Sequence, residues 1–355
     1  MTTSQLQEIL KSNILLLSTS DGRDFSKHEE QLDAGAHILI APPFEIMDET
    51  EEAQFEELLE IAGTRSFVAG QLLMPPVDED DFDYDALYEQ VFNQAKWLEE
   101  MGASLLFVNG CHDLVATKCA LYAIREASLT MPVCAGITLP DEEASISKAI
   151  SLLITLQALG VSAFGCSYMD LEASLSVLSE LQAFTTVPLF CIAEPGSFLE
   201  PYVYADYVTS MVHYKCAMIG LNSDRTAYTS EAYKVIWQHM PLAPDFPMLN
   251  AICSQNVPMF LDFQGKIVSN QKQLIEIKTE KEDELEKILP IINKENAAPV
   301  CFYIRDIDLL EYAIMHYAGR PAVCSDEYGE ITAKELGALI LSEAPTQTPQ
   351  NGEVE

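Results

Sequence analysis

Residues 104–139 read SLLFVNGCHDLVATKCALYAIREASLTMPVCAGITL. Ser104–Asn109 is an apolar run of strand length, and Val133–Leu139 is a second. Asp113–Ala127 lies between them with the length of a helix. Strand, helix and strand in this order predict parallel pairing through a right-handed crossover. The unit recurs upstream. Strands are expected at Ile14–Leu17, His37–Ala41 and Ser66–Leu73, and a helix at Phe25–Ala34. Glu51–Ala62 directs Phe55, Leu58, Leu59 and Ile61 towards a core at helical spacing. A further helix carries Leu87, Val91, Leu98 and Met101 on one stripe and stops at Gly102, a common residue at a helix end. Downstream come strands at Ser162–Ser167, Pro188–Ala193 and Ala217–Gly220, with helices ending at Gly160, at Leu171–Phe184 and at Ser230–Met240. Eight strands so spaced close as a (β/α)8 barrel of the α/β class more readily than they extend as an open sheet. No Gly-x-Gly-x-x-Gly follows the first strand, which argues against a dinucleotide-binding fold.

Past Pro241 the rhythm changes. Leu242–Pro247 reads as a linker. Short strands follow at Val257–Phe263, Pro299–Ile304 and Pro321–Ser325, with helices at Lys278–Asn293, Ile307–Tyr317 and Thr332–Ser342. The expected organisation is a barrel over 1–241, a small α/β unit over 242–344 and a disordered polar tail over 345–355. Within that unit, the stretch from Asp306 to Ser325 bears a faint likeness to one step of a pterin-binding barrel, and we read it as an appended packing module. The acidic run Asp78–Asp85 reads as a solvated loop ending in a helix N-cap; it lacks the glycine and final glutamate of a calcium loop.

The chain has 355 residues, of which 48% are hydrophobic. Twenty basic against 55 acidic residues give a formal charge of −35, which repels phosphate backbones and anionic lipid. No nucleic-acid or membrane partner is expected. No secretory signal and no apolar run of membrane-spanning length is seen, and nine cysteines are scattered without a Cys-x-x-Cys pattern. That usage predicts reduced thiols and a cytoplasmic location.

The stretch His28–Phe44, HEEQLDAGAHILIAPPF, resembles without a gap the pattern H-x-x-Y-L-x-A-G-A-D-I-I-x-T-N-T-F of the homocysteine S-methyltransferase family. That family includes the N-terminal barrel of cobalamin-dependent methionine synthase. Gly102, Asp113, Lys118 and Ala120 fall in the family's next block, and Pro132-Val133 with Ile137-Thr138 in the one after. Leu159-Gly160-Val161 with Gly165, and Ile219-Gly220, precede its two zinc positions. The resemblance runs from Ile14 to Met240. It implies a barrel tied to methionine biosynthesis and one-carbon metabolism, with a catalytic zinc that deprotonates the homocysteine thiol.

The departures fall at strand ends, where a barrel keeps its chemistry. The family's Thr-Asn-Thr-Phe is Ala41-Pro42-Pro43-Phe44 here, and its Glu-Thr is Asn109-Gly110. Its zinc cysteines are replaced within Gly165-Cys166-Ser167-Tyr168 and Gly220-Leu221-Asn222-Ser223. Tyr168, Asn222 and Ser223 are poor ligands for a metal that thiolates select. The expectation is a divergent barrel without a zinc–thiolate site, no cofactor, and a pocket formed by Asn109, Cys166, Tyr168, Glu194, Asn222 and Ser223. Strand alternation puts Cys166 on the same side as Tyr168. One alternative is an active homocysteine methyltransferase with a rearranged zinc site, from Cys111, Cys166 and Cys216. Another is a non-catalytic protein partner in a corrinoid methyltransferase system. A third is different chemistry in the old pocket. The small ligand implied is homocysteine-like or a methyl donor. His28 reads as a packing or capping residue, Lys118 as a solvated helix residue, and Asp170 with Glu194 as a weak acid/base candidate.

Overall fold

The computed structural model describes residues 1–19, 25–75, 82–139, 142–196, 199–242, 250–261, 267, 274–294 and 297–341. The linker from 243, residues 78–81 of the acidic run at 78–85, part of the predicted Val257–Phe263 strand and the tail from 345 lie outside those residues.

Eight parallel strands close a barrel in chain order: β1 (Leu15–Ser18), β2 (Ile38–Ile40), β3 (Phe67–Leu73), β4 (Leu105–Cys111), β5 (Val133–Ile137), β6 (Ala163–Asp170), β7 (Leu189–Glu194) and β8 (Cys216–Leu221). β8 returns to pair with β1, with Leu17 opposite Gly220. The inward positions hold Leu17, Ile38, Phe107, Phe190 and Met218, and the Phe107 and Phe190 rings meet edge to face at 5.2 Å. A leading helix α1 (Thr3–Leu10) is fixed by a capping box at Thr2 and Gln5. It sends Leu6 and Leu10 into the same cluster, and its Thr3 N–H donates to the Thr130 carbonyl in the loop before β5. This helix therefore packs against the amino-terminal end of the barrel.

The surrounding helices are α2 (Ser26–Asp33), α3 (Glu49–Ala62), α4 (Tyr84–Glu100), α5 (Leu114–Ala127), α6 (Glu142–Ala158), α7 (Leu171–Leu181), α8 (Pro201–His213) and α9 (Thr226–Ile236). Asp83 caps α4, accepting from the Ala86 N–H, as the acidic run predicts. Helix α8 has no counterpart in the sequence reading. Its tyrosines and valines have weak helix propensity, and burial of Tyr204, Val208, Met211 and Val212 on one face holds it instead.

Contacts divide the chain into two units, one of Met1–His112, Ala116–Ser145 and Val161–Asp245, the other of Asp113–Val115, Ile146–Gly160 and Phe246–Glu355. Most of α6 thus groups with the C-terminal residues. In that second unit β9 (Ala251–Cys253) and β10 (Pro258–Phe260) form an antiparallel pair. A parallel sheet follows, ordered β11 (Ile275–Ile277), β12 (Val300–Phe302), β13 (Ala322–Val323) and β14 (Leu339–Ile340). Its helices are α10 (Glu282–Ile292), α11 (Ile307–His316) and α12 (Glu327–Glu335). The predicted helix Thr332–Ser342 is corrected: α12 stops at Glu335, Gly337 turns the chain at φ +80°, and β14 follows. The predicted Lys278–Asn293 helix begins later, at Glu282 with Lys281 as its N-cap. Among the described residues no helix is long and apolar enough to cross a membrane.

Candidate functional site at the carboxyl-terminal mouth of the barrel

The last inward layer of the barrel is polar where the layers beneath are apolar. Two irregularities build it. On β4 the register slips between Asn109 and Cys111, and the intervening Gly110 has φ +80°. On β6 it slips between Ser167 and Met169, and the extra residue is Tyr168 at φ +56°. A tyrosine in the left-handed region costs about 1–3 kcal/mol, and such strain gathers at functional sites. The bulge turns Tyr168 inward with Ser167. Its hydroxyl donates to Gln71 Oε1 on β3 at 3.0 Å, so the side chain reaches past the ends of β4 and β5.

Between the two bulges lies Gly136 on β5, opposite both Asn109 and Gly165. A Cβ there would stand 2.5 Å from Ser167 Oγ and 2.6 Å from Asn109 Oδ1. The missing side chain lets these two groups come together. Both residues are wholly buried, and Asn109 Oδ1, Asn109 Nδ2 and Ser167 Oγ have no hydrogen-bond partner. Buried polar groups left unpaired in a native fold call for a reason.

On the opposite side Asn222 joins three strand ends. Its Oδ1 accepts from Thr19 Oγ1 at 2.9 Å, and its Nδ2 donates to Glu194 Oε1 at 2.9 Å. A cavity of about 260 Å³ lies at this mouth. Its walls are Thr19 after β1, Ile40 with Pro42 and Pro43 at β2, Gln71 and Leu73 on β3, Tyr168, and Asn222. None of these side chains is charged. The wall residue Asn222 is tied to the Glu194 carboxylate.

The other expected residues divide. Asn109, Tyr168, Glu194 and Asn222 sit at the ends of β4, β6, β7 and β8, and of these Tyr168 and Asn222 line the cavity while Asn109 and Glu194 do not. Ser223 faces elsewhere: it lines a void of only about 10 Å³ with Leu16, Tyr228 and Thr229, and its hydroxyl accepts from the Arg225 N–H at 3.2 Å. Cys166 does not share a side with Tyr168. The bulge breaks strand alternation, and the Cys166 thiol points outward, 4.0 Å from the Ser174 carbonyl of α7. Cys216 starts β8 at the amino-terminal end, whereas Cys111 ends β4 at the other. Burial pushes the Cys111 thiol up to about 12, and burial pushes Cys166 and Cys216 well above the ordinary range. The trio therefore does not converge. Among the described residues no group of three or more His, Cys, Asp or Glu side chains is placed to hold a metal ion. The zinc that the family resemblance implies does not fit this donor set, since Tyr168, Asn222 and Glu194 are engaged with protein partners and offer no thiolate.

Two further readings change. Lys118 is 1% exposed rather than solvated. Asp170 and Glu194 are register partners, but Asp170 caps α7, accepting from the Glu172 N–H at 2.9 Å. His28 is a packing residue, buried and 3.0 Å from Ser18 Oγ. Sequence reasoning missed Thr19, Gln71, Gly136 and Ser167. Gln71 alone carried a signal, as a polar residue inside the apolar strand FVAGQLL.

No protein-family profile matches the chain, and no curated protein matches it either. Solved structures do. The apo form of the homocysteine methyltransferase MmuM from Escherichia coli aligns at 18% identity over 64% of this chain and 97% of its own, with a TM-score of 0.51. The metallated form of the same enzyme aligns at 17% identity over 66% and 99%, with a TM-score of 0.52. At such identity the likeness is one of fold. The protein is thus a (β/α)8 barrel, with small additional sheets, that shares its architecture with a homocysteine methyltransferase.

Proposed function

We propose that this barrel is a divergent relative of the homocysteine S-methyltransferases that binds a small organic molecule at its carboxyl-terminal mouth without zinc–thiolate chemistry. The observation that carries the reading is the cavity of about 260 Å³ walled by Gln71, Tyr168 and Asn222 at strand ends where the Asn109 amide and the Ser167 hydroxyl are buried without a partner. Neither residue lines the cavity as it stands, and a ligand polar group that reached them would recover the desolvation they have already lost, about 1–3 kcal/mol for each. The cavity favours a neutral or cationic ligand with an apolar part. Its uncharged walls include Ile40, Leu73 and two prolines, the wall residue Asn222 is bonded to the Glu194 carboxylate behind it, and the chain carries −35 overall. A homocysteine-like thiol, its methyl thioether or a sulfonium methyl donor has that chemistry.

The test is thermal unfolding of the reduced full-length chain with homocysteine, methionine and a sulfonium compound, each with and without zinc. The expected result is stabilisation by at least one of them in the presence of a chelator, lost in Asn222→Ala and Tyr168→Ala. One tightly held zinc per chain, with ligand binding dependent on it, would overturn the zinc-free reading. No stabilisation by any of the three would overturn the ligand class.

A further inference from the structure

The C-terminal unit holds a second chemical site, far simpler than the barrel mouth and independent of it. Cys301 lies in the middle of β12, and Cys324 directly follows β13. Cys301 is opposite Ala322 in the ladder, so Cys301 and Cys324 project from the same face of the sheet. Their sulfurs are 3.7 Å apart. All nine cysteines are free, and eight are buried; Cys324 alone is partly exposed. Lys278 sits 4.5 Å above the Tyr303 ring on the neighbouring strand.

We propose that Cys324 and Cys301 form an oxidisable thiol pair that reacts with hydroperoxides, Cys324 attacking and Cys301 resolving. The Cys324 thiolate attacks the distal oxygen of the hydroperoxide. The S–O bond forms, the O–O bond breaks, and the alkoxide leaves and is protonated to an alcohol, or to water when the oxidant is hydrogen peroxide. Cys301 then gives up its proton and attacks the sulfenic sulfur. The S–S bond forms, the S–O bond breaks, and hydroxide leaves with that proton as water. Two thiols are oxidised and one peroxide is reduced.

Three features favour this assignment of roles. The Cys301 thiol donates to Cys324 and holds it below the ordinary thiol range; burial opposes this, the Tyr303 hydroxyl and the Lys278 ammonium assist, and Glu276 works against it. Cys301 is pushed the other way, chiefly by that same bond. A thiolate that is accessible and one that is protonated and buried are the two halves of a peroxide-sensing pair. Lastly, a disulfide needs the sulfurs about 2.0 Å apart. Cys324 has room to make the approach, because the chain leaves the sheet after its N–H bonds the Phe302 carbonyl at 3.0 Å.

The test uses the full-length reduced chain, alkylated under native conditions at pH 7 before and after one equivalent of hydrogen peroxide, and mapped by mass spectrometry. Cys324 is expected to alkylate at least about ten times faster than any other cysteine. Peroxide should remove two thiols and give a Cys301–Cys324 cross-linked peptide that dithiothreitol reverses. In Cys301→Ala the sulfenic acid should persist on Cys324 and be trapped by dimedone. Equal alkylation of several cysteines, a disulfide between chains, or over-oxidised Cys324 beside a free Cys301 would each overturn the pair. The wild-type chain alone is enough to decide it.

Discussion

Asn109→Leu should make the barrel more stable and abolish ligand binding. The Asn109 side chain is wholly enclosed, and neither its donor nor its acceptor is paired. Each unpaired buried group costs about 1–3 kcal/mol, and an apolar replacement of similar shape removes that cost. Leucine keeps the branched shape and the number of side-chain heavy atoms with bulkier methyl groups, and Gly136 offers no Cβ to oppose them. We expect a gain of about 1–3 kcal/mol. For a unit of this size that corresponds to roughly 2–4 °C in Tm per kcal/mol. Both tryptophans, Trp97 and Trp237, lie in the barrel unit, so their fluorescence in urea follows that unit by itself. Ser167→Ala is the companion, because it removes the neighbouring unpaired hydroxyl and cannot overpack. It should be neutral or stabilising by about 1 kcal/mol. If both variants lower stability by more than about 1 kcal/mol, these groups are satisfied within the fold and the argument for a ligand there fails. A gain in stability with loss of function is the usual mark of a site maintained for binding.

Gly136→Ala should destabilise the barrel by about 1–3 kcal/mol through overpacking, since the new methyl would meet Ser167 Oγ at 2.5 Å and Asn109 Oδ1 at 2.6 Å. Adding Ser167→Ala should recover part of the loss, and strictly additive urea midpoints would show that the glycine is not wedged between those groups. Stability should also fall in mild acid. Burial lowers His28 from 6.5 to about 4, so the unfolded chain binds the proton first and the barrel loses stability as pH drops from 6.5 towards 4. Between pH 7 and 5.5 the loss from this residue is about 1 kcal/mol. His28→Gln should flatten that slope, and an unchanged slope would exclude His28 as its source. Finally, replacing Tyr168, Asn222 and Ser223 together by cysteine tests the alignment with the zinc positions. Ser223 faces away from the mouth, so we expect weak zinc binding at best in a folded triple variant, and one tightly held zinc would show that strand end to be more mobile than its hydrogen bonds imply.

The barrel was legible in the sequence because its physics is local. Each strand is a short apolar run buried on both faces, and each crossover helix shows its own stripe. These signals survive in stretches such as residues 104–139 whatever the rest of the chain does. Helix α8 escaped because burial rather than propensity holds it. What the sequence left open is direction. Alternation put Cys166 beside Tyr168, and a single inserted residue with a left-handed backbone sent one outward to α7 and the other across the barrel to Gln71. Asn109, Gly136 and Ser167 are separated by 27 and 31 positions in the chain, and only ladder register makes them neighbours. The frame follows from periodicity, which each segment carries alone. The pocket follows from bulges and closure, which depend on the strand next door.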